Sequence, residues 1–209
     1  MMKIKSVASN PDRAGRYTVC FEDGPSMRLY RQTVQDFGLY AGLELSADDF
    51  KRLKEQAGAM SAKMRAVRIV AASGVSSGDL ERRLVRKGED PKQAKEAVQW
   101  MEDLALVDDR RTAEQIVQQC IRKGYGLARA KQALFEKQIP REYWSEVLTD
   151  YPDQLQEIVS FLQTRLTDKC DEKTIRRTID ALLRRGHSYS NIRRGLEQMS
   201  MDIEDFPEE

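Results

Sequence analysis

Residues 80–101 read LERRLVRKGEDPKQAKEAVQWM: a short basic helix that stops at Gly88, then a second helix with its apolar residues on one face. The stretch decides the fold because the chain writes it twice more. Leu84, Leu134 and Leu182 can be laid over one another, 50 and then 48 positions apart. Lys87, Lys137 and Arg185 each fall three places after their leucine, and Gly88, Gln138 and Gly186 fill the next place, where a helix hands over to a turn. The following helix repeats its apolar face as Ala94, Val98 and Met101, then Trp144, Leu148 and Tyr151, then Ile192, Leu196 and Met199. That spacing of i, i+4 and i+7 is helical.

A period near 50 is the length at which one supersecondary unit recurs, each unit too small to bury its apolar face alone and stable only against its neighbours. Function is therefore sought along a surface rather than in a closed reaction chamber.

Composition narrows the class. The chain has 209 residues, of which 40% are hydrophobic, enough for a core without being membrane-like. No run approaches the roughly 18 apolar residues of a spanning helix, and the opening Met1-Met2-Lys3-Ile4-Lys5-Ser6 lacks a secretory apolar core, so a soluble, cytoplasmic protein is expected. Cys20, Cys120 and Cys170, with His187 as the sole imidazole, are too scattered for a local metal site, and no metal or cofactor is expected. Net charge is +1, but acids crowd the C-terminal end, leaving the helical repeats more basic than the total suggests.

In chain order, Tyr17, Val19 and Phe21 alternate with polar residues, Asp23-Gly24-Pro25 intervenes, and Met27 and Leu29 resume at spacing two, a β-hairpin. Ile4 and Val7 supply an earlier strand, giving a sheet of two or three strands that must pack on something. Residues 32–37 make one or two helical turns. Ser46 with Asp49 forms a capping box that opens a long helix reaching about Ser73, either continuous or broken near Gly58. Gly74 closes it, Ser76 or Ser77 caps the next helix, and Pro91 opens a third. In repeat two, Asp108 or Asp109 caps a helix carrying Ala113, Ile116, Val117 and Cys120 inward; Leu127, Ala130 and Leu134 mark the second helix and Pro140 opens the third. Repeat three has a less regular front, Leu155 to Leu166, before its second and third helices. The expected organisation is a β-hairpin element with a short helix over 1–45, a long helix leading into repeat one over 46–107, repeat two over 108–151, repeat three over 152–201 and an acidic tail over 202–209.

These residues resemble the RecX family, regulators of the bacterial recombinase RecA. The likeness is carried by Leu106-Val107-Asp108-Asp109, by the basic residues before Gly124-Tyr125-Gly126, by the helix end Leu84-Val85-Arg86-Lys87-Gly88, and by Val34-Gln35-Asp36-Phe37-Gly38-Leu39 with Gly42-Leu43-Glu44-Leu45 in the N-terminal stretch. It covers nearly the whole chain. Repeat two departs from the pattern with Gln138 in place of glycine and with Thr112-Ala113 where an aromatic is usual. The resemblance implies a mainly α-helical protein of three tandem three-helix units in an elongated, curved array. It also implies a non-enzymatic modulator that lies in the groove of the RecA filament and restrains its ATPase, strand-exchange and coprotease activities in recombination, DNA repair and the SOS response.

The candidate binding residues are Arg65, Arg68, Arg82, Arg83, Arg86 and Lys87 in repeat one and Arg110, Arg111, Arg122, Lys123, Arg129 and Lys131 in repeat two. Cations in a last helical turn, such as Lys87, Lys137 and Arg185, are favoured by the helix dipole whatever the protein does. If the others line one side they form a positive stripe for acidic protein surface or phosphate. The partner expected is the RecA filament, with single- or double-stranded DNA as a further ligand through phosphates, no membrane, and a monomeric chain. A DNA-binding module without a recombinase partner is the alternative, and a scaffold for another protein a third reading. Asp108-Asp109 read as helix caps, Trp100 and Trp144 as core residues, and no nucleophile, base or phosphate loop of an enzyme stands out.

Overall fold

The computed structural model describes residues 1–166 and 171–199. The acidic tail and Cys170 lie outside the described residues. The chain divides after Val107 into two compact units.

The first unit opens with strands β1 (Met2–Val7), β2 (Arg16–Phe21) and β3 (Met27–Tyr30), followed by helix α1 (Arg31–Asp36), strand β4 (Glu44–Leu45) and helices α2 (Ala47–Ala72), α3 (Ser77–Arg86) and α4 (Pro91–Asp103). The sheet has four antiparallel strands in the order β3-β2-β1-β4, not two or three. The additional strand pairs Met2 with Leu45 and Lys3 with Glu44, flanked by bonds from the Ile4 amide to the Leu43 carbonyl and from Gly42 to Ile4. Two residues carry no alternation of their own; β4 exists because β1 supplies its partner.

Helix α2 is capped by Ser46, whose hydroxyl accepts from the Asp49 amide at 3.0 Å. It runs unbroken through Gly58. A side chain there would collide with Gln93, whose amide donates to the Glu55 carbonyl at 3.1 Å, so the glycine serves close approach of α4 rather than a bend. The helix serves two cores. Its first half packs Leu53 and Phe50 on Ile4, Val19, Phe21, Leu29, Leu39 and Leu45, with the Phe21 and Phe50 rings edge to face at 5.3 Å. Its second half packs Ala62 and Ala66 against Leu80, Leu84, Ala94, Val98 and Met101. A sheet that is marginal alone is thereby fixed to the first helical repeat. Trp100 is partly buried against the second core, with Lys63 over its ring at 5.2 Å.

The second unit comprises α5 (Asp109–Arg122), α6 (Leu127–Glu136), a 3₁₀ turn (Arg141–Tyr143), α7 (Trp144–Leu148), α8 (Leu155–Gln163), α9 (Glu172–Arg184) and α10 (Tyr189–Gln198). Asp108 caps α5 through the Arg111 amide, and Asp109 is buried. The third helix of repeat two is reduced to the 3₁₀ turn and the five residues of α7. Pro140 does open it, and Trp144 anchors it by donating its indole N–H to the Ile139 carbonyl at 3.1 Å. Leu127, expected on an apolar face, is 40% exposed. Gly124 ends α5 in the left-handed conformation, whereas its register equivalent Gly74 follows an extended Ser73 that ends α2.

The recurring leucines carry the same device three times. Gly88, Gln138 and Gly186 all have positive φ, of 88°, 56° and 85°. The next residue's amide returns to the repeated leucine in each case: Glu89 to Leu84 at 3.2 Å, Ile139 to Leu134 at 3.0 Å and His187 to Leu182 at 3.2 Å. This is the Schellman helix end, and it tucks Glu89, Ile139 and His187 inward. Gln138 pays a left-handed penalty that the two glycines avoid. Gln138→Gly is therefore expected to stabilise the protein by roughly 0.5–1 kcal/mol after the entropic cost of glycine in the unfolded chain. An unmoved urea midpoint would refute this account of the turn.

Candidate functional site

In the first unit a cleft of about 650 Å³ lies between sheet and helices. Arg16 and Tyr30 line it from β2 and β3, where they are paired across the strands. Arg65 and Arg68 reach it from α2, Arg82, Arg83 and Arg86 from α3, and Lys87 from the cap of α3. Seven cations thus face one concavity, and no carboxylate is among the described residues of its lining.

Most of these guanidinium groups are held by acceptors. Asp79, 2% exposed, takes Arg82 on one oxygen at 2.5 Å and Arg83 on the other at 2.7 Å. Its place is set by local sequence, since its amide donates to Ser76 at the N-cap of α3 at 3.1 Å. Glu89, turned inward by the helix end after Leu84, pairs with Arg65 at 2.6 Å and accepts from the Ser61 hydroxyl at 3.0 Å. Arg68 donates to the Tyr30 hydroxyl at 2.6 Å and to the Met64 carbonyl at 3.0 Å. Arg16 donates twice to one oxygen of Asp12, at 2.8 and 3.0 Å; this hydrogen bonding, with the Arg16 amide on the other oxygen, holds the Asp12 carboxyl down at about 2. Arg86 and Lys87 make no ion pair among the described residues. A fixed fork of N–H donors in a positive concavity suits carboxylate or phosphate oxygens.

All six repeat-one candidates read from the sequence therefore meet in this cleft. Arg16 and Tyr30 join them without any signal in the sequence, because only the sheet's packing on α2 brings them there. The repeat-two candidates do not gather. Arg110 pairs with Glu114 and Glu146, and Arg129 with Glu136 at 3.3 Å. Arg111, Arg122 and Lys123 are exposed at the two ends of α5. Lys131 lines a second cleft of about 420 Å³ with Tyr151, Asp153, His187 and Asn191.

Comparison with known proteins bears on what such an arrangement serves. The model of the second three-helix domain of RecX matches residues 108–148, from the Asp108 cap to the last residue of α7. A regulatory protein RecX of Vibrio parahaemolyticus (serotype O3:K6) is 23% identical over 142 residues, spanning 66% of this chain and 92% of that protein. Residues 108–148 therefore carry the second three-helix domain of the RecX family. A solved structure of a regulatory protein RecX shares the fold over 96% of this chain and 99% of its own, with a TM-score of 0.64 at 17% identity. The RecX of Lactobacillus salivarius does so over 68% of this chain and 97% of its own, with a TM-score of 0.60 at 18% identity. No helix among the described residues is long and apolar enough to cross a membrane.

The two repeats of the second unit meet through backbone. Gly126 donates to the Arg185 carbonyl at 2.9 Å and Ala128 to the Gly186 carbonyl at 3.2 Å. Beside them, His187 is 5% exposed, with Nε2 3.0 Å from the Gly124 carbonyl. A carbonyl can only accept, so Nε2 carries the proton. Burial pushes the imidazole pKa below its ordinary value. The folded ring therefore takes up a proton less readily than the unfolded chain, which protonates near pH 6.5. Stability is full above that pH and is lost as pH falls below it. Stability is therefore expected to fall between pH 7.5 and 5.5, and to fall less in His187→Asn. Urea titrations at both pH values check this, since no other histidine contributes.

Proposed function

We propose that this chain binds the filament that the recombinase RecA forms on DNA and restrains its ATP turnover, strand exchange and coprotease activity, acting as a modulator and not as an enzyme. The observation that carries the reading is the cleft of the first unit, where seven cations face one concavity whose lining holds no acid, in a chain similar to a regulatory protein RecX. A positive concavity is attracted to acidic protein surface and to phosphate, and such a filament offers both. Docking there, and separately through the exposed cations of α5 in the second unit, would bridge neighbouring subunits and slow the movements that turnover requires.

The test is the ATPase rate of the cognate recombinase on single-stranded DNA while this protein is titrated in, with a DNA-only binding assay at the same salt. Inhibition is expected well below the concentration that coats bare DNA; tight DNA binding without inhibition would favour the DNA-binding module. Reversal at Arg86, Lys87, Arg122 and Lys123 to Glu spares the arginines that neutralise buried Asp79. It is expected to weaken inhibition by roughly tenfold or more while leaving the helical spectrum intact. An unchanged inhibition curve with a folded variant would remove these residues from the mechanism.

A further inference from the structure

We propose that the arginine-lined cleft of the first unit binds a cluster of vicinal phosphates, the polyphosphate of a free nucleoside triphosphate being the ligand class, with the N-terminal sheet as one wall of the site. The inference does not rest on the filament reading, because the site and its test involve this protein alone.

The shape selects a small ligand. A concavity of about 650 Å³ is the size of a small-molecule site, which spans roughly 300–1,000 Å³, and not of a groove that tracks a polymer. The charge selects a polyanion. Crowded cations repel one another, and a ligand that supplies several negative groups at once relieves that repulsion.

The arginines are also arranged in advance. Asp12, Asp79 and Glu89 each hold an arginine of the lining while standing outside the lining themselves, so the guanidinium groups are fixed from behind. Less side-chain freedom remains to be lost on binding. Arg82 and Arg83 share the two oxygens of one carboxylate, which keeps their guanidinium groups close together. Vicinal phosphates of a triphosphate lie closer than successive phosphates along a nucleic acid strand, and so match that pair better. Ile69 and Ala72 supply the apolar part of the lining, against which a sugar or base can rest. Tyr30, through its hydroxyl, positions Arg68 and is a positioning residue of the site.

Calorimetry of the full chain at low salt, without divalent metal, would use four probes: sodium tripolyphosphate, ATP, inorganic phosphate and a short single-stranded oligonucleotide. Tripolyphosphate and ATP are expected to saturate a single class of site and to bind at least roughly tenfold more tightly than inorganic phosphate. The double variant R86Q/K87Q, which touches no ion pair, is expected to weaken both by roughly tenfold. R122Q/K123Q in the second unit should leave them unchanged. Tyr30→Phe should lower affinity with the fold retained, a result that loss of surface charge would not produce. Absence of saturable binding, equal binding by R86Q/K87Q, or tighter binding of the oligonucleotide than of ATP would each overturn the proposal.

Discussion

Gly126→Ala is expected to destabilise the second unit by about 3 kcal/mol or more, although it adds a single methyl group. The methyl would overlap the Gly186 carbonyl and the His187 amide, which are backbone and cannot rotate away as a side chain does. The contact is reciprocal. A methyl on Gly186 would meet the Arg129 backbone, its Cα at 2.9 Å, and Gly186 is also left-handed at φ 85°. The turn before α6 and the turn before α10 are thus joined main chain to main chain, and the bond from Gly126 to Arg185 depends on that distance. Denaturant melts of Gly126→Ala beside Gly74→Ala, where added volume meets nothing within 4 Å, would separate steric cost from altered backbone entropy. If the two variants melt alike, the close approach of these turns is wrong.

The second large effect is expected at the repeated leucines. Leu84→Ala, Leu134→Ala and Leu182→Ala should each cost roughly 2–5 kcal/mol, since each side chain is at most 1% exposed and leaves a cavity its neighbours only partly fill. Hydrogen exchange should report the loss locally: in α2 to α4 for Leu84, in α5 to α7 for Leu134, and in α8 to α10 for Leu182. Phe135→Ala is the control. This larger side chain sits next to Leu134 but is 59% exposed, so its loss should fall within about 0.5 kcal/mol of no effect. A cost at Phe135 equal to that at Leu134 would mean that the apolar face has been read on the wrong side of α6.

Several features were legible because they depend on groups a few residues apart. Ser46, Ser76 and Asp108 announce helix starts through amides three residues on. The place after Lys87, Lys137 and Arg185 marks a helix end whose bonds close within five residues, and Gln138 adopts the left-handed conformation its position required. Of the candidate site, the six cations of repeat one share two consecutive helices, and helical period alone puts several of them on neighbouring faces. The unbroken run through Gly58 was not legible, because a glycine that bends a helix and one that admits a neighbour look the same until Gln93 is placed.

What the sequence by itself determined, then, is the helical character of the chain, several helix caps, the buried leucines and the local turn chemistry, all set by interactions within one or two helical turns. The tertiary structure decided the rest. It paired Glu44–Leu45 with β1, brought Arg16 and Tyr30 from the sheet to the cleft beside Arg68, pressed the Gly126 turn onto Gly186, and turned Arg110 of repeat two to Glu146. These are contacts between segments far apart in the chain, fixed by how whole apolar faces pack, and no spacing of residues along the chain encodes the distance between two packed faces.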